Sequence, residues 1–201
     1  MQILHPFLGS LPQYTEAISD PKRYRPEYCP QCEAPQPLTG HGFYSRSLVD
    51  GAFDGVIRVR RYLCRCCKRT ISLLPQFVLP YLRFSVSVIA VFLTARLLEG
   101  GTLIAAARAA AQPHMPYQRG QFWVRRFRRQ AEALCAALAA KITPPPAANF
   151  VTRALRMLQT RGWVAAHRFL LAKLRMHLLG WPRFLIPHGC RFVFPAPWST
   201  S

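Results

Sequence analysis

The chain has 201 residues, enough for one or two small domains, and its 27 Lys and Arg against 8 Asp and Glu give a net charge of +19. Residues 1–54 hold six acids and four bases, whereas the rest of the chain holds 23 bases and only two acids, Glu99 and Glu132. This balance favours a polyanion as the partner, because Arg binds phosphates and guanine edges with paired hydrogen bonds. We therefore expect a nucleic acid as the partner, with double-stranded DNA ahead of RNA.

A membrane partner is not expected. The longest apolar stretch, residues 84–98, covers 15 residues and contains Arg96, whereas a spanning helix needs about 20 apolar residues. The first residues also lack a charged start followed by an apolar run, so they do not resemble a secretory leader. We expect a cytoplasmic protein in which residues 84–98 form a buried helix.

Residues 1–26 are predicted to form an N-terminal arm. They contain four prolines and no sustained hydrophobic period, and they carry no functional signal.

Residues 27–76 are predicted to be a metal module, because they contain two Cys-x-x-Cys pairs about thirty residues apart, Cys29 with Cys32 and Cys64 with Cys67. Four thiolates in such pairs suit one tetrahedral Zn²⁺ ion with a structural role. Disulfides are the competing interpretation, but seven cysteines is an odd number and suits a reducing compartment. Cys66 could replace Cys64 or Cys67, and the two-residue gap favours the latter pair.

The segment between the cysteine pairs reads as a zinc ribbon. Residues 42–48 and 56–63 are predicted strands, separated by the turn formers Asp50-Gly51 and Asp54-Gly55, and residues 70–75 form an apolar strand that packs back on them. The second strand carries three bases that we expect to contact the nucleic-acid backbone: Arg58, Arg60 and Arg61.

Residues 77–143 are predicted to contain a helix-turn-helix. Residues 75–81, with two prolines, form a stiff connector. After it, Ser85 caps a helix that ends near Leu98, and Thr102 caps an alanine-rich helix over residues 103–111. A third helix runs from Tyr117 toward Ala140 with a basic face. In that geometry its first residues face bases and later ones reach bases or phosphates. The expected contacts are Tyr117, Gln118, Arg119, Gln121, Arg125, Arg126 and Arg129.

Three prolines at residues 144–146 mark a boundary. Beyond it, residues 144–180 are predicted to form a helical hairpin, with helices over 150–159 and 163–178, and residues 181–201 form an apolar tail. The predicted class is α+β, with an N-terminal zinc ribbon of β-hairpins followed by a mainly α-helical region.

No catalytic residues are predicted, because a two-metal centre needs about three clustered carboxylates and the eight acids are scattered. A second metal site built from His167, His177, His188 and Cys190 is not expected, since their spacings favour no common helical face.

The spacing of several short motifs resembles the N-terminal zinc ribbons of insertion-sequence transposases, and an uncharacterised bacterial family of small ribbon proteins found with mobile elements. The motifs are Cys29-Pro30-x-Cys32, His41-Gly42-Phe43-Tyr44-x-Arg46, Ile57-x-Val59-x-Arg61, Cys64-x-x-Cys67, Thr70-x-Ser72-x-Leu74-Pro75-x-Phe77 and Pro80-Tyr81. In such transposases a helix-turn-helix that binds the element's ends follows the ribbon, and a ribonuclease-H-type catalytic domain comes next. Because this chain stops where that domain would start, the resemblance carries no expectation of catalysis.

The expectation is therefore a non-catalytic, zinc-dependent DNA-binding protein associated with the nucleoid, acting as an accessory or regulatory factor of a transposon. The alternative is an interaction module that holds RNA or protein partners, such as a transposase, within a larger nucleoprotein complex. We also expect metal removal to unfold the ribbon while the helices from Ser85 onward keep much of their DNA affinity.

Overall fold

The computed structural model describes residues 2–5, 9, 11–18, 24–35, 38–51 and 53–181. It has the predicted α+β character, with strands in the first part of the chain and helices in the second. The elements are β1 (Gln2–His5), α1 (Leu11–Ala17), β2 (Thr39–Asp50), β3 (Phe53–Leu63), β4 (Thr70–Pro75), α2 (Val86–Leu97), α3 (Leu103–Ala109), α4 (Tyr117–Ala139), α5 (Phe150–Arg161) and α6 (Trp163–Leu174).

The strands form one four-stranded sheet in the order β1-β4-β3-β2. The predicted hairpin is present, and β4 returns antiparallel to β3. β1 lies parallel to β4, with Leu4 opposite Leu74, although the arm shows no strand pattern. Four residues are too few for a period to be visible, so only the pairing reveals this strand.

The predicted turn at Asp54-Gly55 is wrong. Asp54 lies inside β3 opposite Val49, and the hairpin reverses at Gly51, whose φ is +56°. A two-residue hairpin turn needs positive φ, which glycine adopts at no steric cost, so Asp50-Gly51 is the true turn signal.

The helix caps agree with the sequence. The hydroxyls of Ser85 and Thr102 accept hydrogen bonds from the backbone N–H groups of Val88 and Ala105, which begins α2 and α3 where predicted. α6 is shorter than expected, because Arg175 adopts a left-handed conformation with φ of 51° and ends the helix at Leu174.

Helices α2 to α6 share one large hydrophobic core, and each face of the sheet carries a smaller one. Trp123 of α4 is fully buried between the rings of Phe84 and Phe92, with centroids 4.9 and 5.1 Å away in edge-to-face geometry. α1 covers one face of the sheet through the buried Tyr14.

Sheet and helices are joined through residues 78–87. The guanidinium of Arg46 in β2 donates to the carbonyls of Leu79 and Leu82. Near the end of β2, the Asp50 carboxylate accepts hydrogen bonds of 2.7 Å from the hydroxyls of Ser85 and Ser87 at the start of α2.

Candidate metal centre and basic helix

The four predicted cysteine ligands converge. The sulfurs of Cys29, Cys32, Cys64 and Cys67 all lie within 4.8 Å of one another. The Sγ atoms of Cys29 and Cys67 are 3.8 Å apart, and those of Cys32 and Cys64 are 3.7 Å apart. Sulfurs placed tetrahedrally at zinc–sulfur bonds of about 2.3 Å are separated by about 3.8 Å. The cluster could therefore hold a metal ion such as zinc.

The two knuckles share one backbone conformation. The N–H of Cys29 donates to Ala34 O at 3.2 Å, and the N–H of Cys64 donates to Arg69 O at 3.0 Å, five residues on in both cases. The residue after each second cysteine, Glu33 and then Lys68, has a left-handed backbone with φ of 56° and 55°. Each knuckle thus turns back on itself and presents two sulfurs to the same point.

This repeat decides which cysteines of the second pair take part. Cys66 is exposed and lies outside the cluster, whereas Cys64 is buried and Cys67 is partly buried within it. The structure therefore places Cys64 and Cys67 in the cluster, and Cys66 does not replace either of them.

Local hydrogen bonds and burial separate the acidities of two neighbouring thiols. The backbone N–H of Cys67 is the largest influence that lowers the pKa of Cys64 to about 7. Burial raises the pKa of Cys67 to about 12. Four crowded thiols cannot all ionise unaided because each thiolate repels the next, and a bound divalent cation removes that obstacle. Four sulfur donors leave zinc no open position for water or substrate.

The three arginines of β3 do not share a face. Arg58 and Arg60 project from one side, where their guanidinium carbons lie 4.2 and 4.6 Å from the centre of the Phe43 ring. Arg61 projects from the other side, because side chains alternate along a strand. Arg58 is exposed, whereas Arg60 and Arg61 are partly buried. A joint backbone contact by all three would need both faces of the sheet.

The start of α4 is anchored so that its polar residues face outward. Gly120 is buried, and a Cβ added there would lie 2.8 Å from Phe92 Cζ in α2. Tyr117, Gln118 and Arg119 are exposed, and Gln121 is partly buried.

Farther along α4, Arg125 and Arg129 are exposed, as is Arg128, which was not among the predicted contacts although it belongs to the same basic run. The side chains of these three residues and of Arg119 make no hydrogen bond or ion pair within the described ranges. The one ion pair found among described residues joins Arg83 to Asp54.

Arg126 has a different position from the one predicted. Its Nε donates to Leu179 O at 2.7 Å, and its Nη2 donates to the carbonyls of Gly180 and Trp181. The side chain is thus directed along the protein toward the segment after α6. One residue among several arginines on a helix gives no sequence signal for such a partner.

His167 and His177 are buried and separate from the cysteine cluster. The Nε2 atoms lie 3.3 Å from Val78 O and 3.0 Å from Pro80 O, respectively, and the N–H of Leu179 donates to His177 Nδ1. Burial lowers the pKa of His167 to about 3 and that of His177 to about 4. Both rings are neutral and join α6 and the segment after it to the connector. His188, Cys190 and nearly all of the tail lie outside the described residues.

No helix in the described ranges is both long and apolar enough to cross a membrane.

Comparison with known proteins gives one match. Residues 29–108 match a family named only as a domain of unknown function, DUF6431. The matched region begins at Cys29, the first cysteine of the cluster, and ends in α3. It includes the whole cysteine cluster, the connector and α2, but not α4. No curated protein and no solved structure matches the chain.

Proposed function

We propose that the protein is a zinc-dependent DNA-binding protein, in which the cysteine cluster holds one structural Zn²⁺ ion and α4 contacts double-stranded DNA. The observation that carries this proposal is the exposed face of α4, with four arginines, Arg119, Arg125, Arg128 and Arg129, and no acidic partner in the described ranges. The one acid of α4, Glu132, is exposed four residues after Arg128, but it makes no ion pair with these arginines in the described ranges. A face made only for solvation normally mixes signs in i,i+4 pairs, whereas this nearly uniform basic face suits phosphates.

The helices around α4 support this role. α3 is a short helix, residues 110–116 form a turn, and α4 packs on both α2 and α3. In a helix-turn-helix the N-terminal part of the second helix enters the major groove. We place α3 and α4 in these roles, so that Tyr117, Gln118 and Arg119 face bases while later arginines contact phosphates.

Binding without catalysis is part of the proposal. Asp50 accepts hydrogen bonds from two serines and Asp54 pairs with Arg83, so both carboxylates have structural roles. An accessory or regulatory role in transposition rests on the resemblance of the cysteine ribbon. Preferred binding to the ends of a mobile element over random duplexes of equal length would support it.

The test replaces Arg125 and Arg129 together by Ala in the zinc-loaded chain and measures the affinity for a labelled duplex at several salt concentrations. Loss of two phosphate contacts should lower the slope of log K against log salt by about 1.8. The matched control is Arg161→Ala with Arg168→Ala, two exposed residues of equal charge on α5 and α6.

Equal losses in the two double variants would show that only net charge matters, and the assignment to α4 would be wrong. Tighter binding of a single-stranded RNA of the same length than of the duplex would favour the alternative RNA-binding module.

A further inference from the structure

A cavity of about 260 Å³ lies between β2 and the connector, away from the cysteines and from α4. Gln2, Tyr44, Arg46 and Arg83 supply its polar side chains. The cavity also borders the outer edge of the sheet, because β2 is the last strand in the order. It is thus formed from three separate parts of the chain, and nothing in the proposed DNA contact uses it.

Two buried polar atoms at this cavity have no hydrogen-bond partner in the described ranges, Arg46 Nε and Gln2 Oε1. Buried polar atoms are nearly always paired, so each calls for an explanation. Gln2 Nε2 lies 3.5 Å from the Tyr44 hydroxyl. The side-chain amide of Gln2 can be turned over without a change in shape, so that its O and N atoms exchange places. The oxygen then accepts a hydrogen bond from the Tyr44 hydroxyl, and the unpaired atom becomes the NH₂ donor. Both unpaired atoms are then donors.

The edge of β2 adds further donors. The N–H of Val49 donates to Arg83 O and its carbonyl accepts from the N–H of Ser85, so the backbone groups of Val49 point away from β3. Backbone groups alternate in direction along an antiparallel strand. Ser45 and Ser47 therefore direct their N–H groups to the same open edge, where they line the cavity.

The charge at the cavity is positive. Arg83 is paired with Asp54, but Arg46 donates to carbonyl groups and has no carboxylate partner among the described residues. Burial of its charge without an anion is unfavourable, and a bound anion would offset that cost.

The geometry points to an oxyanion-binding site in this cavity, which takes a phosphate group through Arg46, Gln2 and the N–H groups at the edge of β2. The group could belong to inorganic phosphate or to a nucleic acid, since both present the same oxygens.

The test is titration calorimetry of the metal-loaded full chain with inorganic phosphate, at constant ionic strength set by chloride. We expect saturable binding that Arg46→Lys weakens by about tenfold or more, because Lys cannot reproduce the paired donors of Arg. Arg168→Lys, an exposed residue on α6, is the matched control and should leave the affinity unchanged.

Arg46 also holds the connector, so Gln2→Ala is a second variant that tests the site if Arg46→Lys fails to fold. It should weaken phosphate binding by about threefold to tenfold, the net effect of one ordinary hydrogen bond. Absence of saturable binding, or equal affinities in Gln2→Ala and Arg168→Lys, would overturn the inference.

Duplex DNA distinguishes the two sources of phosphate. If DNA displaces phosphate and Gln2→Ala weakens DNA binding, the site takes a nucleic-acid phosphate. If phosphate binds equally well with and without DNA, it takes a free phosphate. The site is independent of α4, so either result leaves the test of the DNA-binding face intact.

Discussion

Glu33 and Lys68 show how a single backbone angle shapes the cysteine cluster. Each follows the second cysteine of its knuckle and has a left-handed backbone, an arrangement that costs an ordinary residue about 1–2 kcal/mol. No glycine occupies either position, although glycine would adopt this conformation without strain. The knuckle is held by its paired hydrogen bonds and by the four sulfurs meeting at one point.

Replacing Glu33 by Gly should therefore stabilise the metal-loaded protein by about 0.5–1 kcal/mol, since relief of strain exceeds the added flexibility of the unfolded chain. Thermal unfolding of the zinc-loaded form measures this. Gln31→Gly in the same knuckle, where φ is not positive, is the control and should be neutral or destabilising. Stabilisation by both changes, or by neither, would contradict the role of the left-handed angle.

The cysteines offer a sharper test at the same scale. Loss of a residue that only hydrogen-bonds to a metal ligand lowers metal affinity by up to about 100-fold. Cys32→Ser removes a ligand itself and should therefore lower zinc affinity by more than about 100-fold. Cys66→Ser, one residue from a ligand but outside the cluster, should bind zinc normally. Competition with a coloured chelator gives both affinities. A larger loss in Cys66→Ser than in Cys32→Ser would mean that the second knuckle uses a different pair.

At the scale of elements, α4 combines an outward basic face with an inward structural one. Gly120 and Trp123 fix its start against α2, and Arg126 links its middle to the segment that follows α6. Neighbouring arginines on one helix therefore have different surroundings, and composition alone does not separate them.

Arg126→Ala should destabilise the fold by about 1–3 kcal/mol, because the carbonyls of residues 179–181 lose their donor. Its effect on DNA affinity, measured well below the unfolding temperature, should be small. Arg125→Ala should do the reverse, with unchanged stability and weaker DNA binding. Denaturant unfolding and binding titrations on the two variants decide this, and the same pattern in both would refute the division of roles.

At the scale of the whole molecule, the sheet and helices are connected rather than independent. Arg46, Asp50, His167 and His177 join β2, the connector and the helical part by hydrogen bonds. The family match crosses the same boundary, from the cysteines to α3. These links argue against the expectation that the helices from Ser85 onward keep much of their DNA affinity when the ribbon unfolds.

Metal removal should accordingly lower the midpoint of helix unfolding, followed by circular dichroism, and unfold the chain in one step. Structural zinc sites contribute about 10 kcal/mol or more of apparent binding energy at neutral pH, which the connected helices would share in part. Cys66→Ser treated with the same chelator should behave like the unmodified chain. Helices that melt at the same temperature with and without metal would support independent parts instead.

Acid should weaken the join between connector and helices. The pKa of His167 is about 3 and that of His177 about 4 in the folded chain, against 6.5 for an exposed histidine. At pH values between these folded pKa values and 6.5, the unfolded chain therefore binds more protons than the folded chain. Stability should therefore fall as pH falls from about 7 to about 5, by about 2 kcal/mol per histidine.

Zinc release by acid also contributes to this loss, so the measurement compares variants at each pH. Over the same pH interval, the double variant His167→Gln, His177→Gln should lose less unfolding free energy than the unmodified chain. The exposed control His114→Gln should lose as much as the unmodified chain. Parallel pH profiles for all three proteins would rule out a contribution from the buried rings.

Local sequence patterns determined those structural features that depend only on residues close together in the chain. The two-residue gap of each knuckle, the caps at Ser85 and Thr102 and the turn at Gly51 depend on short-range geometry and could be predicted. The basic face of α4 is also a local period, and DNA binding by that face stays a prediction.

Only the tertiary structure decided which long-range partners each residue meets. It paired β1 with β4, turned Arg126 toward residues 179–181, separated Arg61 from Arg58, and buried two histidines against the connector. It also left Arg46 beside a cavity without a carboxylate. The physical reason is that a helix or strand period fixes the face of a side chain, but the group it meets depends on how distant segments pack together.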